Sequence, residues 1–203
     1  MRLAPARFAP DDKTMTDASS LTGRLLVAMP GIGDARFEHA VILICAHGAD
    51  HAMGLRLDRP APGVDLKTVL DKLDQPAPDQ AAGRVVLMGG PVERERGFVL
   101  HTDDWTVGDD TLAFGDGLAM TGTREALAAM TDEVAGPRRS ALLLGYAGWG
   151  EGQLEEELAD NVWLTADADL DLIFDGEHTS KWTRALAQLG VDAAMLSSQG
   201  GRA

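Results

Sequence analysis

From residue 21 onward the sequence consists of short apolar runs separated by glycine and proline, and this pattern limits the fold more than any other feature. The runs are four to seven residues long, which is the usual length of a β-strand and far below the roughly 20 residues that cross a bilayer. We therefore predict a protein rich in strands that does not enter a membrane. The predicted strands cover residues 24–29, 40–46, 52–57, 85–88, 97–100, 118–121, 141–146, 162–165 and 170–174.

Helix signals are fewer, and four segments carry them. Asp65 and Thr123 are of the type that favours a helix N-cap, and each precedes apolar residues with helical spacing. Residues 151–158 have acidic side chains at their start, and a segment around Trp182 ends at Gly190. Because these helices do not alternate regularly with the strands, we predict an α+β fold with a mixed, largely antiparallel sheet flanked by about four helices.

The ends of the chain and its single cysteine bear on domain organisation and location. Residues 1–20 are polar and aperiodic, so we expect a disordered leader, with Met15 as a possible biological start, followed by a single domain over 21–203. The leader has no apolar stretch typical of a secretory signal, and Cys45 has no partner for an intrachain disulfide. Both features favour the cytoplasm.

The formal net charge of −14 limits the choice of partners. Such a charge repels nucleic acid and anionic lipid, whereas DNA binding draws most of its affinity from cations that neutralise phosphates. The densest basic groups are Arg94 with Arg96, which alternate with Glu93 and Glu95, and Arg138 with Arg139; neither is a recognition patch. We therefore expect no direct nucleic acid binding and no membrane binding.

Four sequence blocks and the C-terminal segment carry a family resemblance. The blocks are Gly23-Arg-Leu-Leu-Val-Ala-Met-Pro30, Ala52-Met-Gly-Leu55 after His47, Gly89-Gly-Pro-Val92 with Arg96-Gly-Phe-Val-Leu-His101, and Gly145-Tyr-Ala-Gly-Trp-Gly-Glu-Gly-Gln-Leu-Glu155. The C-terminal residues are Asn161, Trp163, Phe174, Lys181, Trp182, Leu189 and Gly190. In order and spacing they resemble the AlgH/YqgE family of bacterial proteins over about residues 21–203.

The resemblance implies a curled, barrel-like sheet, with no agreed enzymatic activity and no cofactor. It also implies a transcriptional-regulator label, which is attached to the family on indirect grounds. Two positions depart from the family pattern: Ala46 stands where members usually have Glu before His47, and Asp58 stands where they usually have Asn. The first departure weakens any mechanism that needs that Glu.

The glycine-rich segment 145–154 is the strongest local feature, and we interpret it as a strand that enters a loop and then a helix. A loop of this kind presents bare backbone N–H groups to an anion. The candidate ligand contacts here are Tyr146, Gly148, Trp149, Gly150 and Gln153. The favoured alternative is a structural corner, in which Gly148 and Gly150 adopt conformations that a side chain would strain.

Gly89, Gly90 and Pro91, followed by Arg94 and Arg96, form a second candidate site. Consecutive backbone N–H groups and a guanidinium both suit a carboxylate or a phosphate. A structural turn is the favoured interpretation, because Glu93 and Glu95 are close in sequence and can pair with the arginines.

His47 and His101 both lie at ends of predicted strands, where a pair of imidazoles could bind a metal or move a proton. Structural histidines are favoured over a metal site, because no third ligand accompanies them. Cys45 and His47 would project from the same face of a strand, as a thiol and a base require. The apolar flank of Cys45 instead raises the thiol pKa and disfavours catalysis.

Three functions remain open at this point. The favoured one is a non-enzymatic binding or regulatory protein, a monomer or weak homodimer that acts through a partner protein or a small ligand and has no catalytic residue, metal or cofactor. The alternatives are a small hydrolase or metal-dependent enzyme that uses His47 and His101, and a direct DNA-binding transcriptional regulator.

Overall fold

The computed structural model describes residues 20–196, which form ten strands and five α-helices. The predicted leader, apart from Ser20, and the last seven residues lie outside this part. The strands are β1 Arg24–Ala28, β2 Val41–His47, β3 His51–Arg56, β4 Pro60–Asp65, β5 Val85–Met88, β6 Val92–Thr102, β7 Thr111–Phe114, β8 Leu118–Thr121, β9 Ser140–Gly150 and β10 Trp163–Asp167. The helices are α1 Leu66–Lys72, α2 Arg124–Ala129, α3 Gln153–Ala159, α4 Leu170–Phe174 and α5 Lys181–Gln188.

The strands form one curled sheet in the order β10-β1-β2-β3-β9-β6-β8-β7. All of these neighbours are antiparallel, whereas β5 runs parallel to the first half of β9 and carries β4 on its other side. The curl brings the two ends of the sheet together, since a Cβ on Gly23 would lie 2.7 Å from the Gly115 Cα. The predicted α+β fold with a mixed, largely antiparallel, barrel-like sheet is therefore confirmed as a half-barrel.

The two faces of the sheet bury different helices. On one face, which we call the inner face, α4 and α5 place Leu172, Ile173, Trp182 and Leu186 against residues from almost every strand. On the outer face, α1 and α2 cover β5, β6 and the first half of β9. The helix α3 covers the other part of the outer face, over β1, β2, β3 and the second half of β9. No helix in residues 20–196 is long and apolar enough to cross a membrane.

One predicted strand is wrong, because residues 170–174 form the helix α4. The Asp169 side chain accepts a hydrogen bond from the Asp171 N–H at 2.8 Å, which caps the start of the helix. At its other end the buried Lys181 ammonium donates to the Ile173 carbonyl at 3.1 Å. A short apolar run does not by itself distinguish a strand from a buried helix, and here the caps decide. With α4 the helices number five rather than about four.

The predicted caps at Asp65 and Thr123 are confirmed, since each side chain accepts an N–H from the first turn of its helix. Two strands escaped prediction: β4, which begins with Pro60 and contains glycine, and the short edge strand β7. Neither is an apolar run with a clear alternation, so the sequence pattern does not reveal them.

Candidate functional site

A pocket of about 440 Å³ opens on the inner face, where β3, β6 and the end of β9 meet. Its volume lies within the range of small-molecule binding sites, which often occupy the mouths of β-barrels. Half of the predicted ligand residues line it: Arg96, Tyr146, Gly148, Trp149 and Gly150. The other lining residues come from β3 and β6, namely His51, Ala52, Met53, Val92 and Phe98. We call this cavity the inner pocket.

The floor of the inner pocket is bare sheet backbone. Gly148 pairs with Met53 and Gly150 pairs with His51, so both glycines lie on the face to which Tyr146 also points. A Cβ on Gly150 would meet nothing within 4 Å, and a Cβ on Gly148 would meet the Tyr146 ring edge at 3.3 Å and the Ala52 carbonyl oxygen at 4.0 Å. The absence of two side chains therefore creates the cavity.

The same observation corrects the predicted structural corner. β9 continues through Gly148 and Gly150 as regular strand, and neither residue has a positive φ. The turn lies later, where Gly152 has φ 69° immediately before α3. Glycine at these two positions is therefore not required by backbone strain. Its effect is to leave open space on the inner face.

The walls of the inner pocket combine apolar surface with one cation. Phe98 and Met53 are buried, and the Tyr146 ring meets the Phe98 ring edge to face at 6.1 Å. The Arg96 guanidinium lies 5.0 Å from the Phe98 ring centroid and donates from Nη1 to Glu93 Oε2 at 3.1 Å. Its Nε is buried without a hydrogen-bond partner among the described residues. The side chain as a whole is 22% exposed and lines the pocket, so its guanidinium is a cation that an acidic ligand could pair with there.

Gln153, another predicted ligand residue, supports the end of β9 from α3. Its Oε1 accepts the Gly150 N–H at 3.1 Å, and its Nε2 donates to Glu157 Oε1 at 2.8 Å. The other oxygen of Glu157 accepts the indole N–H groups of Trp149 and Trp163 at 2.8 and 2.7 Å. This network on the outer face holds the strand whose inner face forms the pocket floor.

His47 lies outside the inner pocket, because β2 carries a bulge. The register with β3 shifts between Ile44 and Ala46, so Cys45 joins the inner core while His47 contacts α3. His47 Nδ1 accepts the Leu21 N–H at 3.1 Å, and Nε2 lies 2.7 Å from Glu155 Oε1. The prediction that Cys45 and His47 share a face is therefore wrong, and burial also raises the pKa of the Cys45 thiol.

His101 is fully buried and far from His47. Its Nδ1 is 2.9 Å from the Thr102 carbonyl, its Nε2 is 2.9 Å from the Thr121 hydroxyl, and burial lowers its pKa. His101 is paired with Ser140 at the start of β9. His47 is paired with Ala52 on β3, and Ala52 is paired with Trp149 near the end of β9. Roughly 30 Å of extended strand separates the two levels. The structure does not bring these histidines together.

Gly89 and Gly90 allow the chain to cross β9 at close range. A Cβ on Gly89 would lie 2.3 Å from the Gly145 carbonyl oxygen, and one on Gly90 would lie 2.0 Å from the Tyr146 carbonyl carbon. Gly90 also lines a small recess on the outer face, whereas Arg96 points into the inner pocket. The predicted second site is thus divided between two cavities.

A larger depression of about 740 Å³ lies near β9 and α4 but has a different character. Its rim carries charges of both signs, and these pair with one another, as in Arg139 with Asp171 at 2.6 Å and Arg184 with Asp175. Within residues 20–196 no group of three or more His, Cys, Asp or Glu side chains is arranged to hold a metal ion. The inner pocket remains the best candidate, because it combines apolar walls with the guanidinium of Arg96.

Comparison with other sequences gives a consistent family. The family model described as AlgH-like matches residues 25–194. A UPF0301 protein of Caulobacter vibrioides strain NA1000 is 57% identical over 187 residues, covering 92% of this chain and 96% of that protein. A UPF0301 protein of Ruegeria pomeroyi is 50% identical over 187 residues and covers 90% of this chain and 99% of its own length.

Two solved structures have the same fold. The solution structure of the AlgH protein from Pseudomonas aeruginosa is similar with a TM-score of 0.75 and 38% identity, covering 94% of this chain and 100% of that one. A crystal structure of a protein from Corynebacterium diphtheriae has a TM-score of 0.66 at 22% identity, covers 82% and 85%, and supports the fold alone. None of these names states a substrate or an activity.

Proposed function

This chain belongs to the AlgH-like family, and we propose that it is a non-enzymatic binding protein that holds a small amphipathic anion in the inner pocket. The bare floor made by Gly148 and Gly150 is the observation that carries the proposal. Interior positions of a small barrel are normally filled by side chains, so two adjacent inward positions without them leave room for a ligand.

The chemistry of the walls selects the ligand class. A flat apolar group fits between the Phe98 and Tyr146 rings and the glycine floor, where it would remove apolar surface from water. A carboxylate or sulfonate would pair with the Arg96 guanidinium, which the Phe98 ring and Glu93 hold at the pocket wall. The ligand is therefore an aromatic or aliphatic acid of modest size.

The candidate catalytic histidines favour binding over catalysis, because their ring nitrogens already have partners. His47 and His101 are each engaged at both ring nitrogens and lie at opposite ends of β9. The cytoplasm remains the proposed location and a regulatory effect on a partner protein the proposed consequence. Direct DNA binding is disfavoured by the net charge of −14.

Fluorescence titration with 8-anilinonaphthalene-1-sulfonate tests the proposal, because this probe combines an aromatic body with a sulfonate. We expect saturable binding of one probe per chain. In Gly150→Leu the new side chain fills the pocket, so the affinity should fall about tenfold or more while the unfolding midpoint stays unchanged.

Gly176→Leu is the matched control, because a Cβ there also meets nothing within 4 Å but lies outside the inner pocket. This variant should bind the probe like the wild type. Unchanged affinity in Gly150→Leu, or absence of saturable binding in the wild type, would refute the proposed site.

A further inference from the structure

A second cavity on the outer face has a composition that contrasts with the rest of the chain. This recess of about 120 Å³ is lined by Arg36, Arg56, Arg59 and Arg94, with Phe37 and Met88 as its apolar part. No Asp or Glu lines it, although the chain has 32 acidic and 18 basic residues. A volume of this size holds about four waters, which suits a small ion rather than a nucleotide. We call it the arginine recess.

Two of the four arginines form ion pairs, and one of these two arginines is buried. Arg36 forms a paired contact with Asp34, with Nε–Oδ1 at 3.0 Å and Nη2–Oδ2 at 2.6 Å. Arg56 is buried and forms a similar pair with Asp58, with Nη2–Oδ2 at 2.6 Å, while its Nη1 donates to the Arg36 carbonyl. The contacts of the buried Arg56 pre-organise this part of the recess, so little of its side-chain entropy is lost when an anion binds.

Arg59 and Arg94 form the rest of the recess and have no ion-pair partner among residues 20–196. Asp34 and Asp58 offset two of the four positive charges, which leaves a formal excess of two. Four guanidinium groups around so small a volume repel one another, and a bound anion would relieve that repulsion.

The irregular start of β6 directs Arg94 into the recess. The register with β9 shifts between Val92 and Gly97, and Glu93 has φ 45°. Gly145 has φ 71°, and a Cβ there would be 3.2 Å from the Arg94 Cα, so the close approach requires glycine. Through this irregularity Arg94 faces the arginine recess while Arg96 faces the inner pocket.

We propose that the arginine recess binds a doubly charged oxyanion, with a phosphate group as the best match. Guanidinium groups bind phosphate and carboxylate oxygens through paired N–H donors, and a charge of minus two balances the excess of the recess. The site is separate from the inner pocket, because Arg56 and Met53 lie on opposite faces of β3. Evidence against one of the two proposed sites would therefore leave the other unaffected.

Isothermal titration of the full chain with inorganic phosphate, at constant ionic strength maintained with chloride, tests the proposal. We expect saturable binding of one phosphate per chain. In the double variant Arg59→Gln with Arg94→Gln the affinity should fall about tenfold or more, because both guanidinium groups that lack an ion-pair partner are lost. Thermal unfolding of the variant establishes that the fold is kept.

Arg124→Gln combined with Lys72→Gln removes the same charge from exposed positions outside the recess and should leave the affinity within about twofold. A parallel titration with malonate identifies the source of the oxyanion: tighter phosphate binding indicates a phosphate compound, and tighter malonate binding indicates a dicarboxylate. Gly150→Leu should not alter phosphate affinity. Lack of saturable binding of either anion, or equal loss in the control variant, would overturn the proposal.

Discussion

Removing the Asp58 carboxylate should destabilise the fold more than any surface change, because it leaves Arg56 buried without its counter-charge. The two side chains are 8% and 10% exposed. Asp58 Oδ1 accepts the Arg56 Nε–H at 3.0 Å and the Val41 N–H at 2.9 Å, and Oδ2 accepts Arg56 Nη2 at 2.6 Å. Asp58→Ala therefore affects a buried ion pair and a strand N–H at once.

The magnitude follows from these contacts. Breaking a buried pair by removing one partner costs about 3–5 kcal/mol, and Arg56 keeps two backbone carbonyl partners, which favours the lower end. The unsatisfied Val41 N–H adds about 1 kcal/mol, so the expected loss is about 4 kcal/mol for Asp58→Ala. Asp58→Asn keeps one acceptor for Val41 but places an NH₂ group opposite Arg56, and about 1–2 kcal/mol is expected.

Urea unfolding followed by tryptophan fluorescence measures both changes as shifts of the midpoint at constant slope. Asp167→Ala is the control, since Asp167 also pairs with an arginine but is 88% exposed, and its loss should cost at most about 1 kcal/mol. A loss below about 1 kcal/mol for Asp58→Ala would refute the reasoning, because the pair would then behave like a surface ion pair.

Three further predictions concern space, protonation and reactivity. Gly90→Ala should cost on the order of 3 kcal/mol because its Cβ would overlap the Tyr146 backbone, whereas Gly150→Ala should change stability by less than about 0.5 kcal/mol in the same urea assay. Burial lowers the pKa of His101 below its ordinary 6.5, so the unfolded chain takes up the proton first. The contribution of neutral His101 to stability is complete above pH 6.5 and is lost as the pH falls from 6.5 through the lower pKa of the folded state. Between about pH 7.5 and 5.5 the urea midpoint of His101→Asn should therefore fall less than that of the wild type. Cys45 should react with a disulfide reagent only as fast as the protein unfolds, because the buried thiol has a raised pKa; rapid labelling of the native protein would contradict this.

The elements that the sequence pattern predicts well are those whose signals are local. The caps at Asp65 and Thr123 each depend on a side chain three residues from its target N–H, and both are found. Residues 170–174 mislead because a short, mostly apolar segment is compatible with either structure. Its helical form depends partly on Lys181, which closes the helix from a later segment. Tertiary contacts therefore decided the element that local pattern could not.

The candidate sites were predictable only in part, for a related reason. Gly148 and Gly150 stand out in the sequence, but they matter because they leave a cavity on the inner face. The walls of that cavity include Met53 and Phe98, which come from other strands. Only part of the arginine recess has a local motif, because Gly90, Pro91 and Arg94 belong to the predicted second site whereas Arg36 and Arg59 come from separate loops. A single sequence reports which residues are unusual, whereas the curl of the sheet decides which of them meet.

The two proposed anion sites are compatible with the strongly acidic character of the chain, because electrostatic repulsion and attraction act here over different distances. At physiological salt the Debye length is about 8 Å, so the net charge of −14 acts chiefly on a large polyanion that spans much of the surface. A single phosphate or carboxylate inside a cavity instead experiences mainly the arginines that line it. The irregular start of β6 sends Arg94 to the outer face and Arg96 to the inner face, so adjacent cations serve separate cavities. We therefore expect the protein to bind small anions in preference to nucleic acid.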